Sequence, residues 1–305
     1  MIQAPVRIGI VGYGEVGKTF TRGLLGQSGV STVCAWDLKF DLPAHRDAEL
    51  DHAAHHGVTA CTSVQDLCAQ SDLIISAVTA SSTLAVAQQA ADFIRSGSVF
   101  LDFNSASPGT KQQAAAGIDA RGADYVEAGV MTSVPPYGIR VPMLLGGAQA
   151  APLASMLNGW GMDATAVSEK LGVVSAIKMC RSVMIKGLEA LVIESYTTAR
   201  AYGVEDKVLP TLQETFPSID WAQQGAYFFS RVAQHGQRRA EEMRESARSV
   251  EEAGFAPLMA SAIADKQQWV ADQSKSGAFK GVGNSAPWQA YADVLLTSAK
   301  RPTAT

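Results

Sequence analysis

A string of glycines near the start of the chain has the spacing of a phosphate-binding loop. It reads Gly12-Tyr13-Gly14-Glu15-Val16-Gly17-Lys18-Thr19. The three glycines match the dinucleotide fingerprint, in which the first makes the turn, the second admits the pyrophosphate and the third lets helix and strand pack closely. The same string is a Walker A motif, in which Lys18 would reach the phosphates and Thr19 would bind magnesium. Both interpretations place a phosphate at a helix N-terminus.

The acidic residue Asp37 favours the dinucleotide. It ends an apolar run, 20 residues after Gly17, where a carboxylate binds the ribose hydroxyls of NAD. Because a carboxylate there repels a 2′-phosphate, the sequence predicts NAD rather than NADP, although Lys39 could partly restore NADP binding. An ATPase would need a second acidic strand end for its metal. Asp102 could supply it, but no residue that would activate water is evident.

The elements that would position these residues alternate regularly in the first half of the chain. Short apolar runs predict strands at residues 7–11, 32–36, 72–78, 98–103, 124–127 and 164–167. Ala-rich stretches between them predict helices. Nearly continuous apolar strands separated by helices are typical of a parallel sheet that is covered on both faces. We therefore predict an α/β fold with a Rossmann-type doubly wound parallel sheet over residues 1–167.

From residue 168 onward the apolar residues recur at helical spacing. They predict one long helix from about residue 169 to 202, ended by Gly203. Four further helices are predicted at residues 220–235, 237–253, 257–274 and 288–298. Residues 168–305 should therefore form an all-α domain.

Composition excludes several classes of protein. The 305 residues are 47% hydrophobic and 18% charged with a net charge of −4, which predicts a folded chain without a broad basic face. Nucleic acid and anionic membranes are therefore poor candidate partners, and no apolar stretch is long enough to span a bilayer. The four scattered cysteines and the absence of room for a signal peptide predict a cytoplasmic protein with reduced thiols.

Four blocks of sequence resemble the β-hydroxyacid dehydrogenase and 6-phosphogluconate dehydrogenase superfamily. They are the glycine loop, residues 101–108 (LDFNSASP), residues 126–133 with 142–147, and residues 172–182 (GVVSAIKMCRS). The second resembles the Asp-x-x-Ser segment beside the nicotinamide, and the third resembles the substrate loop and the strand after it. The fourth resembles the Gly-x-Gly-x-x-x-Lys block, whose lysine is the general acid/base. The resemblance covers the whole chain and implies an NAD(P)-dependent dehydrogenase.

Two of these blocks depart from the family pattern. Met131-Thr132-Ser133 replaces the Ser-Gly-Gly that holds a substrate carboxylate, which favours a larger hydroxyl compound over a plain small β-hydroxyacid. Val174 replaces the second glycine of the lysine block, and Ser182 stands where the family has asparagine. The sequence around Lys178, with residues 235–243 (HGQRRAEEM), resembles a less characterised branch whose helical C-terminal region is classed as a domain of unknown function.

The resemblance assigns the chemistry to Lys178. Helical spacing puts Lys178, Arg181, Ser182 and Ile185 on one face. Positive charge beside the lysine would favour its neutral form. A neutral lysine can accept the proton of a substrate hydroxyl while hydride leaves the carbon.

The predicted site has three parts. The catalytic residues are Lys178, Ser182 and Asn104. The cofactor-binding residues are Gly12, Tyr13, Gly14, Glu15, Val16, Gly17, Asp37, Lys39, Ala77, Val78, Thr79 and Asn104. The substrate-binding residues are Met131, Thr132, Ser133, Arg181 and His235. No metal is expected, because the helical pair His52 and His56 has no evident third ligand.

The predicted function is reversible hydride transfer between a secondary alcohol and a ketone, with NAD as the cofactor. A homodimer that forms through the helical domain is expected. One alternative is a lyase that oxidises a hydroxyl, cleaves the neighbouring C–C bond and returns the hydride, so that NAD is regenerated. Another is a non-catalytic nucleotide sensor, and a remote one is an ATPase.

Overall fold

The computed structural model describes residues 4–299, and its first compact unit, which ends at Met179, is built on one eight-stranded sheet. The strands are β1 Val6–Val11, β2 Val30–Trp36, β3 Thr59–Ala60, β4 Leu73–Ser76, β5 Val99–Asp102, β6 Asp124–Val130, β7 Pro142–Gly146 and β8 Asp163–Ser168. Their order in the sheet is β3-β2-β1-β4-β5-β6-β7-β8. The order reverses between β1 and β4, and ligands of doubly wound sheets bind at that point. The predicted α/β fold is confirmed.

One pair of strands departs from the parallel arrangement that the sequence predicted. Strands β6 and β7 are antiparallel, with Gly129 opposite Leu144. Parallel neighbours need a crossover of a dozen or more residues, usually with a helix. The connection between Val130 and Pro142 is too short for that, so β7 turns back beside β6. The two-residue strand β3 was also not predicted.

Six α-helices accompany the sheet in the described part of this unit. They are α1 Glu15–Leu24, α2 Arg46–His55, α3 Val64–Gln70, α4 Thr83–Ala91, α5 Pro108–Asp119 and α6 Ala150–Gly159. Every residue of β4 and β5 is buried, which explains why these strands are apolar throughout rather than alternating. Ser107 caps α5 by accepting a hydrogen bond from the Thr110 N–H, and Pro108 occupies the first helical position.

The long helix α7, Val173–Tyr202, confirms the predicted helix and begins four residues later than expected. The second compact unit begins inside it, at Cys180, whereas the sequence pattern predicts a domain boundary between residues 167 and 168. The remaining helices are α8 Glu205–Thr215, α9 Trp221–Glu252, α10 Leu258–Lys275 and α11 Trp288–Ala299. Among the described residues, no helix combines the length and apolarity that a membrane span requires.

One feature of the helical unit differs from the prediction, and a second agrees with it. Helix α8 was not predicted. It contains Pro210, and the neighbouring Leu209 and Leu212 pack against an aromatic cluster. That packing outweighs the hydrogen bond that proline removes. The two helices predicted on either side of Gly236 are confirmed as the two segments of α9, which meet at a kink where His235 leaves the helical conformation (φ −131°, ψ 16°). A Cβ on Gly236 would lie 2.9 Å from the Gln267 carbonyl oxygen, so α9 meets the backbone of α10 there.

Candidate functional site

The predicted cofactor residues of the first unit lie along one edge of the sheet. Strands β1, β2, β4, β5 and β6 are mutually parallel, so their C-terminal ends share that edge. The glycine loop follows β1, Asp37 follows β2, residues 77–79 follow β4, Asn104 follows β5 and residues 131–133 follow β6. The structure thus brings together segments that are far apart in the sequence.

The three glycines of the loop have different surroundings. Gly12 has φ +98°, and a Cβ there would lie 2.4 Å from the Ala77 carbonyl oxygen, so the turn requires glycine. A Cβ on Gly17 would lie 1.9 Å from the Gly12 carbonyl oxygen. A Cβ on Gly14 would meet nothing within 4 Å. The open space therefore lies beside Gly14, at the start of α1.

Helix α1 begins at this open space without a side-chain cap. The first N–H groups of a helix have no partner within it, and they attract anions. An uncapped helix start beside an uncrowded glycine is the arrangement that a pyrophosphate requires. The residues of the loop therefore fit a bound dinucleotide.

Asp37 holds the loop against the end of β2. One carboxylate oxygen accepts the Tyr13 N–H at 2.6 Å, and the other accepts the Lys39 N–H at 2.9 Å. The Tyr13 side chain is fully buried, and its hydroxyl lies 3.1 Å from His52 Nδ1. Tyr13 therefore contributes its backbone to the loop, while its ring belongs to the core.

The position of Lys18 bears on the Walker A alternative. Its Nζ atom lies 2.6 Å from Glu49 Oε2 and 5.5 Å from the centre of the Tyr13 ring. Lys18 is thus paired with helix α2, whereas a Walker lysine reaches the phosphates. His52 and His56 pack ring to ring at 4.4 Å, and nowhere in residues 4–299 do three metal-ligating side chains come together.

Asn104 connects two strand ends. Its Oδ1 atom accepts the Val78 N–H at 2.8 Å, and its Nδ2 atom donates to Ser76 Oγ at 2.9 Å. Its own N–H donates to Asp102 Oδ1 at 2.8 Å. The Asn104 side chain therefore fixes the segment after β4 relative to the segment after β5, where the nicotinamide is expected.

Beneath Asn104 lies a buried ion pair that the sequence analysis missed. Lys111 Nζ lies 3.0 Å from Asp102 Oδ1, and both side chains are at most 1% exposed. The Tyr125 hydroxyl donates to Asp102 Oδ2 at 2.5 Å, and burial together with the Asp102 charge raises the pKa of Tyr125. Both carboxylate oxygens of Asp102 thus have partners inside the protein, Lys111 and Tyr125. The sequence feature that could have predicted this pair is a lysine on the Ala-rich, buried face of α5.

A second buried carboxylate, Glu127, holds the start of α7. Glu127 Oε1 accepts the N–H groups of Gly172 at 2.7 Å and Val174 at 3.2 Å, and Oε2 accepts that of Ser175 at 3.2 Å. Gly172 has φ +96°, which explains the glycine in this block. A carboxylate at a helix N-terminus also interacts favourably with the helix dipole. Glu127 therefore fixes the first turn of the helix that carries Lys178.

The valine that departs from the family pattern is accommodated by two glycines. Val174 is fully buried. A Cβ on Gly129 would lie 2.9 Å from Val174 Cγ1, and one on Gly146 would lie 3.1 Å from Cγ2. The isopropyl group therefore occupies the space that these glycines leave on β6 and β7.

We expect the Glu127→Gln variant to lower the free energy of unfolding by about 1–3 kcal/mol, because an amide would direct N–H donors at helix N–H groups. Urea unfolding, followed by circular dichroism, measures this loss. Glu15→Gln, an exposed change in the first turn of α1, is the control and should cost only a few tenths of a kcal/mol. Equal stability of Glu127→Gln and the wild type would contradict the capping role.

The four residues predicted to share a face of α7 differ in exposure. Lys178 is half-buried in the first unit. In the second unit Ser182 is buried, whereas Arg181 and Ile185 are exposed. His235, another predicted substrate residue, is half-buried at the kink of α9.

Ser182 belongs to a buried polar network within the helical unit. Its Oγ atom accepts a hydrogen bond from Lys186 Nζ at 3.2 Å, and Lys186 Nζ lies 2.7 Å from Glu242 Oε2. One turn further along α7, Glu189 pairs with Arg239 at 3.1 Å. Burial raises the pKa of Glu189 and lowers that of Arg239. Arg238 also lies 3.5 Å from Glu242, one helical turn away in α9.

Comparisons with known proteins show which proteins share this fold. A conserved hypothetical protein from Sinorhizobium meliloti 1021 is 36% identical, with a TM-score of 0.74 over 96% of each chain. A protein of unknown function described as similar to 3-hydroxyacid dehydrogenases is 30% identical, with a TM-score of 0.65 over 88% of this chain and 99% of that one. Mycobacterium tuberculosis 3-hydroxyisobutyrate dehydrogenase is 16% identical and shares the fold, with a TM-score of 0.69 over 96% and 99% of the two chains.

Two family models match separate parts of the sequence. Residues 199–270 match a domain of unknown function, DUF1932. Residues 7–184, more than half of the chain, match the NAD binding domain of 6-phosphogluconate dehydrogenase. The first unit therefore has an NAD(P)-binding, dehydrogenase-like fold, and the protein belongs to the 6-phosphogluconate dehydrogenase family of NAD-binding proteins.

Proposed function

We propose that the protein is an NAD-dependent oxidoreductase that transfers a hydride between a secondary hydroxyl group of a small organic substrate and the nicotinamide, with Lys178 as general acid/base. The observation that carries this proposal is the lysine at family spacing on α7, a helix whose first turn Glu127 fixes from the sheet. The glycine loop supports it, because its open space lies at the reversal point of the sheet.

Separate residues of this chain would bind the cofactor, position the nicotinamide and transfer the proton. N–H groups at the start of α1 bind the pyrophosphate, and Asp37 accepts hydrogen bonds from the ribose hydroxyls. Asn104 holds the two loops that would border the nicotinamide, which when bound accepts or returns the hydride. Lys178, as the neutral amine, takes the hydroxyl proton at Nζ while the carbon gives up its hydride, and in reverse its ammonium protonates the alkoxide.

The finer assignments follow from the same site. Asp37 favours NAD over NADP, because a carboxylate there repels a 2′-phosphate. Arg181, His235 and the segment Met131-Thr132-Ser133 are proposed to contact the substrate. Loss of turnover in a Lys178 variant would favour a dehydrogenase over a sensor. Accumulation of NADH during turnover would separate a dehydrogenase from a lyase.

A homodimer and a cytoplasmic location are proposed on separate grounds. Several apolar side chains of α7 are exposed in the single chain, notably Met184 at 66% and Leu191 at 55%. Exposed apolar surface of this kind is typical of an interface. All four cysteines are free thiols, which fits a reducing compartment.

We expect the Lys178→Met variant to lose at least about a hundredfold in turnover, the usual range for a general acid/base, with little change in NADH affinity. A panel of secondary hydroxy compounds is first screened with wild-type protein and NAD by the absorbance of NADH. The variant is then compared on any substrate found. Lys170→Met removes an exposed lysine just before α7 and serves as the control. Near-normal turnover of Lys178→Met would overturn the mechanism.

A further inference from the structure

One carboxylate on α2 holds two lysines beside the proposed ribose site. Glu49 Oε2 lies 2.6 Å from Lys18 Nζ, and Glu49 Oε1 lies 3.7 Å from Lys39 Nζ. The Glu49 side chain is only 15% exposed. Burial alone would raise its pKa, but Lys18 and Lys39 hold the pKa below its ordinary value, so Glu49 is charged at neutral pH.

The two lysines belong to the two segments that border the proposed ribose site, the start of α1 and the end of β2. Lys39 lies two residues after Asp37, and its N–H is bound to the Asp37 carboxylate. Lys18 lies in α1, directly after the third glycine of the loop. A phosphate on the ribose 2′-oxygen would bind to lysine ammonium groups at these positions. In this chain Glu49 already neutralises part of their charge.

We propose that Glu49 is a specificity-determining residue that keeps Lys18 and Lys39 from binding a 2′-phosphate. The inference rests on the proposed function, since it concerns the cofactor of that site. Asp37 repels the 2′-phosphate, and Glu49 removes the positive charge that would offset this repulsion. The two lysines would therefore form a 2′-phosphate site if Glu49 did not neutralise their charge.

The proposal predicts an effect that Asp37 alone would not produce. If Asp37 were the sole determinant, a change on α2 would leave the choice of nucleotide unaltered. If Glu49 sequesters the lysines, neutralising it should raise the affinity for NADPH while the affinity for NADH stays nearly constant. A second change at Lys39 should then cancel the gain, because the two residues act through one interaction.

The test titrates the purified full-length protein with NADH and NADPH and follows the fluorescence of the bound nicotinamide. We expect Glu49→Gln to raise the affinity for NADPH relative to NADH by about tenfold or more, as for a released charge-assisted contact. Asp47→Asn, which removes the same charge from an exposed position on α2, should leave the ratio unchanged. Glu49→Gln/Lys39→Met should return most of the way to the wild-type ratio.

The outcomes separate this inference from the proposed function. Wild-type protein that binds neither nucleotide would overturn the function itself. NADH binding with an unchanged ratio in Glu49→Gln, or an equal change in Asp47→Asn, would overturn only the role of Glu49. If Glu49→Gln does not fold, Glu49→Asp keeps the charge but shortens its reach, and a smaller gain in NADPH affinity is then expected. No gain in that variant would also overturn the inference.

Discussion

Replacing Lys111 with methionine should lower the free energy of unfolding of the dinucleotide-binding unit by about 3–5 kcal/mol, the usual cost of breaking a buried ion pair. Asp102 is fully buried, and Lys111 supplies the positive charge beside it, through a contact of 3.0 Å. Without Lys111 the carboxylate would keep its hydrogen bonds from Tyr125 and Asn104 but lose its counter-charge. Urea unfolding monitored by circular dichroism measures the loss.

An exposed pair provides the matched control. Arg121 and Asp92 lie 3.5 Å apart, and their side chains are 52% and 66% exposed. Arg121→Met should therefore cost at most about 1 kcal/mol, since solvent screens such pairs. Adding Asp102→Asn to Lys111→Met should restore part of the stability, because the buried negative charge is then gone. A loss below 1 kcal/mol in Lys111→Met would show that the pair does not support this unit.

The ion pair also bears on the site, because Asp102 accepts the Asn104 N–H. Asn104 in turn holds Val78 and Ser76. A Lys111→Met protein that remains folded should therefore bind NADH more weakly than the wild type. Fluorescence titration under native conditions tests this consequence separately from stability.

Alanine substitutions at two glycines of the loop should have opposite consequences. Gly14→Ala should fold normally, because the added Cβ meets nothing within 4 Å. It should nevertheless weaken NADH binding about 10- to 100-fold, since the methyl group would occupy the space where the pyrophosphate meets the start of α1. Gly17→Ala should be less stable by about 1–3 kcal/mol, because its Cβ would lie 1.9 Å from the Gly12 carbonyl oxygen.

Thermal unfolding with and without NADH distinguishes the two effects. A ligand that binds only the folded state raises the melting temperature, so the wild type should gain stability with NADH. Gly14→Ala should melt like the wild type in buffer and lose most of that gain, whereas Gly17→Ala should melt lower in both conditions. Full stabilisation of Gly14→Ala by NADH would mean that the dinucleotide does not pass over the loop.

Local patterns in the sequence determined the elements of the fold. Strands buried on both faces, such as β4 and β5, require uniform apolar runs, and these are visible without a structure. The glycine loop is visible for a similar reason, because its spacing reflects a turn and a helix start made by neighbouring residues. The long helix α7 follows from its period and from Gly203 at its end.

The residues that hold the site in place were decided by the tertiary structure. Glu127 binds N–H groups 45 to 48 positions away, and Lys18 is paired with Glu49 on another helix. No spacing rule connects such partners, because their contact depends on how separate elements pack. Val174 shows the same limit, since it departs from the family pattern at a place where Gly129 and Gly146 leave it room. Sequence periodicity indicates which face of a helix or strand is buried. Only the packing of the elements against one another determines which side chains that face contacts.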